Sequence, residues 1–211
     1  MRIVVLVMAT LLPLINPAGS AAIFHSMTLG LPRSERRMLA GRVGMNCLFL
    51  MVAATFIGSY VLEFFGISLN SVRIGGGLLV MASGWRLLNA EEKAAPTAVD
   101  VQKMAMRAFY PITFPITVGP GTVSAAITIG ASLQEPGVVL WQRALASLVG
   151  IFVVALIVYL SFLFADGLVR FLGATGTTVM LRLSAFILMC VGVQIIINGV
   201  IAVVQSMPHA R

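Results

Sequence analysis

Charge is scarce in this chain, and negative charge most of all: Lys, Arg, Asp and Glu make up 10% of it, with seven acids among 211 residues. No acid falls at the centre of a long apolar run, so the buried carboxylate relay of many proton-driven carriers is missing. Histidine and cysteine are equally rare, at two each. Cys47 and Cys190 lie far apart in apolar surroundings, which suits packing residues better than a disulfide or a thiolate metal site. There is no His-Glu-x-x-His, no Gly-x-Ser-x-Gly elbow, no P-loop and no pair of membrane aspartates. No catalytic residue, metal or cofactor is assigned, and an enzyme is not expected.

What the chain has instead is hydrophobic surface, at 59% of residues and a mean hydropathy of +1.03, far from the composition of a soluble domain. A membrane span needs roughly 20 predominantly apolar residues. Six are expected: Ile3–Phe24, Leu39–Leu62, Val72–Leu88, Phe109–Gly130, Val138–Phe164 and Leu181–Val204. The connections are too short to bury a core of their own, so residues 1–211 read as one membrane domain. Arg2 and the small residues Gly19 to Ala22 have the outline of a secretory leader, but cleavage there would remove a segment that has a counterpart later.

The net charge of +7 is spread over helix ends and forms no stripe interleaved with aromatics, so nucleic acid is not an expected partner. With the amino terminus outside, Arg33, Arg36, Arg37, Arg42, Arg86, Lys93, Lys103, Arg107, Arg170 and Arg182 fall at cytoplasmic ends, against Arg2, Arg73, Arg143 and Arg211 outside. Ten against four obeys the positive-inside rule and places both termini in the periplasm.

Two of the expected spans are interrupted, by Asn16-Pro17-Ala18-Gly19-Ser20 and by Gly119-Pro120-Gly121-Thr122. Broken helices in lipid are tolerated only where protein or a polar cavity satisfies the backbone. A helix beginning at Pro17 or Pro120 leaves N–H groups unpaired in its first turn, and such termini attract anions. Hydrogen bonds to a charged group contribute about 1.5 to 3 kcal/mol, more than the roughly 0.3 to 2 kcal/mol of the dipole. The expected substrate-binding residues are Asn16, Pro17, Ala18, Gly19 and Ser20 in the first break and Gly119, Pro120, Gly121, Thr122 and Ser124 in the second. The small residues around them leave room for a modest carboxylate solute.

The breaks recur within a larger repeat. Arg73 precedes Asn89 by the same sixteen residues that separate Arg182 from Asn198. Residues 1–89 and 107–211 then form two three-span units joined by a polar cytoplasmic linker over 90–106. Three spans per unit makes the second enter the membrane from the opposite side, as in inverted-repeat transporters. The fold class expected is all-α: a polytopic membrane protein of six transmembrane helices, the first and fourth broken.

A cation in the first turn of a helix opposes its dipole. Glu63 is therefore expected to pair with Arg73, and Asp166 with Arg182, as gates at the two mouths, with snorkelling of the arginines to lipid phosphates as the alternative. Asn46, Gln194 and Asn198 suit hydrogen bonds between helices. Gly75, Gly76, Gly77 and Gly84 suit a close helix contact. His25 reads as an interfacial residue that can relay a proton.

Leu12-Pro13-Leu14-Ile15-Asn16-Pro17, Phe65-Gly66-Ile67-Ser68, Val72-Arg73-Ile74-Gly75-Gly76-Gly77, Gly119-Pro120-Gly121-Thr122 and Gln194-Ile195-Ile196-Ile197-Asn198-Gly199 together resemble the MarC family of bacterial inner-membrane proteins over nearly the whole chain. That family is similar to SnatA-type carriers of small neutral amino acids and more distantly to LysE-type exporters. The resemblance implies a secondary transporter of glycine, alanine or similar solutes in the inner membrane. An exporter of other metabolites or drugs, or a non-transporting scaffold, are the alternatives. The coupling ion, H+ or Na+, and self-association into a homo-oligomer stay open.

Overall fold

The computed structural model describes residues 2–28, 30–89, 108–133 and 140–206. These are helices joined by short turns, with no strand among the described residues. The helices are α1 (Arg2–Ile15), α2 (Pro17–Met27), α3 (Arg33–Phe64), α4 (Leu69–Leu88), α5 (Ala108–Thr117), α6 (Pro120–Ser132), α7 (Leu140–Leu163) and α8 (Ala165–Ser206). The expected linker over 90–106 lies outside the described residues.

The first expected break is real and turns the chain by 40° between α1 and α2. Pro17 has no N–H to continue the ladder, and Asn16 takes a left-handed conformation at φ 48° and ψ 67°, which Asn tolerates better than most residues. The second break turns the chain by 73° between α5 and α6.

α5 is not the regular helix expected over Phe109–Gly130. Tyr110 and Phe114 are extended, with φ of −118° and −122°. Each precedes a proline, and proline drives the residue before it out of the helical region. The freed carbonyls are taken up locally: the Thr113 hydroxyl donates to Ala108 at 2.6 Å and the Thr117 hydroxyl to Ile112 at 2.7 Å. Wide turns of this kind keep the backbone satisfied without water.

α3, α7 and the part of α8 from Thr175 to Ser206 are long and apolar enough to cross a membrane, and counting each bent pair as one span raises the number from three to five. α4, expected to be a further span, is 20 residues long but is diluted by glycine, serine, Arg73 and Arg86. α8 starts earlier than expected and bends at Gly173, where φ is 66°. Gly66, between α3 and α4, has the same φ of 66°.

Val7, Leu11 and Ile15 of α1, Phe24 of α2, Val43 and Met51 of α3, and Ile151, Val154 and Val158 of α7 form the core. Phe24 stacks on Phe162 with ring centroids 4.5 Å apart. Phe49, Phe152, Leu183 and Ile201 point outward, as side chains facing lipid do. α3 packs against α6 and α7 against α2; α1 packs against α7 and α5 against α3; α4 packs against α6 and α8 against α2. The most extensive contact joins α4 to α8, where Gly77 and Gly84 let backbones touch, while Gly76 abuts Ser124 and Gly75 meets open space.

Candidate functional site at the helix breaks

Asn16 caps α2 as its sequence position suggests, its side-chain oxygen accepting from the Gly19 N–H at 3.2 Å. The Ser20 N–H donates to the Asn16 carbonyl at 2.9 Å, and the Ser20 hydroxyl to Ile15 at 2.8 Å. The first-turn N–H groups of Gly19 and Ser20 are therefore already used. At α6 the cap is Gly119, which has no side chain to offer. The N–H groups of Gly121 and Thr122 keep their donor capacity, and the Thr122 hydroxyl makes no hydrogen bond among the described residues. The second break is the more open donor site.

Three cavities flank the broken helices. One of about 310 Å³ is lined by Asn16, Gly19 and Ser20 with Ser26, Thr178 and Arg182. A second, of about 480 Å³, is lined by Gly119, Pro120, Gly121 and Thr122 with Ser83 and Arg86. The two adjoin, sharing Leu14, Ile23, Leu87, Ile116 and Leu188. Their walls come from the later turns of α2 and α4 and the earlier turns of α8. The third, of about 500 Å³, takes Thr10 and Pro13 from α1, Arg73 from the start of α4, Ser124, Thr128 and Ser132 from α6, and Asn198 from late α8. By helix direction it lies toward the other end of the bundle. Pro17 and Ala18 are half-buried and line none of the three.

Leu14 lines all three cavities. With Val80 and Leu188 it forms a small apolar cluster, each 6 to 8% exposed, separate from the main core and backed by Ala125, Val191 and Ile195. Ser124 holds the neighbouring helices together, its hydroxyl donating to the Val72 carbonyl across α6 and α4 at 3.0 Å. Nothing in the sequence singled out Leu14, Val80 or Leu188, because three aliphatic residues carry no signal in an aliphatic background.

The expected ion pairs are not the ones formed. Asp166 pairs with His25, whose Nδ1 lies 2.7 Å from its carboxylate, and with the Arg36 guanidinium. Arg182 instead stands well inside α8, where no helix terminus opposes its charge. Glu63 is exposed and makes no ion pair among the described residues. Arg73 reaches Thr128 at 3.4 Å and Asn70 at 3.5 Å. The reason is tertiary: the end of α2 and the start of α3 arrive beside the start of α8, closer than its own later turns. Partial burial works to raise the pKa of Asp166, but the His25 hydrogen bond and the Arg36 charge outweigh it and hold the carboxyl below its usual range. Gln194 donates to Asn198 at 3.0 Å on one face of α8, so this bond lies within a helix and not between two.

The profile of MarC family integral membrane proteins matches residues 1–204. The chain belongs to the MarC family. MarC proteins of Escherichia coli K12 and of the uropathogenic strain UTI89, each described as an inner membrane protein, are 31% identical to it over 208 residues, covering 94% of both chains. The same holds for the relative from E. coli O1:K1. No solved structure matches the chain. Membership makes this an integral membrane protein.

Proposed function

We propose that this MarC-family protein is a secondary transporter of small neutral amino acids such as alanine and glycine, acting in the bacterial inner membrane by alternating access. The observation that carries this reading is the pair of helix breaks opening on adjoining cavities, with a third cavity toward the other end of the bundle and the Leu14, Val80 and Leu188 cluster between. Cavities of about 310 to 500 Å³ fit small solutes. Gly121, Thr122 and the nearby Arg86 suit a carboxylate, as does Arg182 at the first break. The exchange of packing partners between α1–α4 and α5–α8 supports two inverted three-helix units, with α1 plus α2 and α5 plus α6 as the broken first helix of each. The basic helix ends favour periplasmic termini. A scaffold would have no use for two polar breaks facing cavities.

The test is flux of radiolabelled alanine and glycine into proteoliposomes, with H+ or Na+ gradients imposed in turn. Saturable uptake accelerated by one gradient is expected. Protein-independent flux for both solutes under both gradients would overturn the amino-acid reading.

A further inference from the structure

We propose that the arginine-lined cavity where α2 and α7 end and α3 and α8 begin binds the phosphate headgroup of an anionic phospholipid. This cavity of about 360 Å³ stands apart from the three at the breaks. Arg33, Arg36 and Arg37 line it from the first two turns of α3 and Arg170 from the start of α8, against the single acid Asp166 on its wall. Asp166 is already engaged by Arg36 and His25. Arg33 and Arg37 make no ion pair among the described residues, and Arg170 spends only its Nε–H, on the Asp166 carbonyl at 3.2 Å. Three guanidinium groups are thus left facing one concavity, and their planar forks match phosphate oxygens.

The positive-inside rule explains why arginines gather on this face, but not why they converge on a hollow. A phospholipid is favoured over a soluble anion by the apolar surface next to the charges. Phe164, on the cavity wall, is 65% exposed, and Phe171, beside Arg170, is 88% exposed. The bend at Gly173 separates this stretch from the apolar run beginning at Thr175, placing it at the level where headgroup gives way to acyl chain. Basic pockets at such interfaces take acidic lipid headgroups.

Native mass spectrometry of the full chain, with phosphatidylglycerol or phosphatidylcholine added in equal amount, reads the site directly. The expected result is preferential retention of phosphatidylglycerol, reduced roughly tenfold in Arg33→Gln/Arg37→Gln. The charge-matched Arg2→Gln/Arg143→Gln, altered at the other end of the bundle, should retain it as the wild type does. Arg170→Gln, which leaves α3 untouched, should weaken retention too and guards against a misfolded double variant. Equal retention of the two lipids, or undiminished retention in both pocket variants, would overturn the proposal. So would complete displacement of phosphatidylglycerol by inorganic phosphate, which would mark a soluble-anion site.

Discussion

A Cβ added to Gly77 would stand 2.8 Å from the carbonyl oxygen of Gly192, and one added to Gly192 would stand 2.8 Å from that of Gly77. The contact is reciprocal, so α4 and α8 touch through their backbones and neither can yield by rotating a side chain. Gly77→Ala or Gly192→Ala should each cost about 1 to 3 kcal/mol by overpacking, seen as a lower melting temperature in detergent. Gly75→Ala, two residues away in open space, should be close to neutral. Equal melting temperatures for all three variants would contradict the contact.

Val80 occupies the space a side chain at position 121 would need. Gly121→Ala is therefore expected to cut amino-acid flux by roughly tenfold, equivalent to about 1.4 kcal/mol, by pushing α6 away from α4. Adding Val80→Ala should restore much of it. A double variant as impaired as the single one would count against this steric account.

Asn16 combines a cap with a left-handed backbone, and the two contributions separate by mutation. Asn16→Ala loses both and should destabilise by about 1 to 2 kcal/mol. Asn16→Gly keeps the conformational freedom and should cost only a few tenths. The order Ala worse than Gly, measured by thermal unfolding, is the prediction; the reverse order would refute it.

Asp166 is held below the usual carboxylate range in the folded protein, so its stabilising effect is present above the unfolded value of about 3.9 and fades as pH falls through the lower folded value. Asp166→Asn should be less stable than wild type by about 1 kcal/mol at neutral pH, given the partial exposure of the cluster. The two melting curves should converge on acidification below about pH 4. A gap that widened there would invert the assignment.

Cysteines introduced at Ser83 and at Thr10 should report opposite faces. In a background with Cys47 and Cys190 replaced, a membrane-impermeant thiol reagent is expected to label Ser83→Cys from one side of the membrane and Thr10→Cys from the other. Labelling of both from the same side would remove the cluster of Leu14, Val80 and Leu188 as a barrier.

The local grammar of the fold was open to reading. Asn16-Pro17 and Gly119-Pro120 announce helix starts because a missing N–H and a capping side chain act within one turn. Gly77 and Gly84 announce a close contact because only small residues allow one. The irregular α5 carried its signal in Tyr110-Pro111 and Phe114-Pro115, two positions where a regular helix cannot continue. What escaped were relations between distant residues. Asp166 is expected from sequence to pair with Arg182 in its own half, whereas it meets a histidine 141 positions away. The consumption of the Gly19 N–H by Asn16 also went unseen, since a cap and a ligand compete for the same donor and sequence does not say which wins.

Leu14 sits two residues before the left-handed turn at Asn16, roughly 3 Å along the helix axis. A torsional change at that one backbone position would re-aim this side chain, which lines all three cavities. In the proposed transporter, valve and hinge would thus be neighbours on a single stretch of polypeptide, with no long mechanical linkage between them.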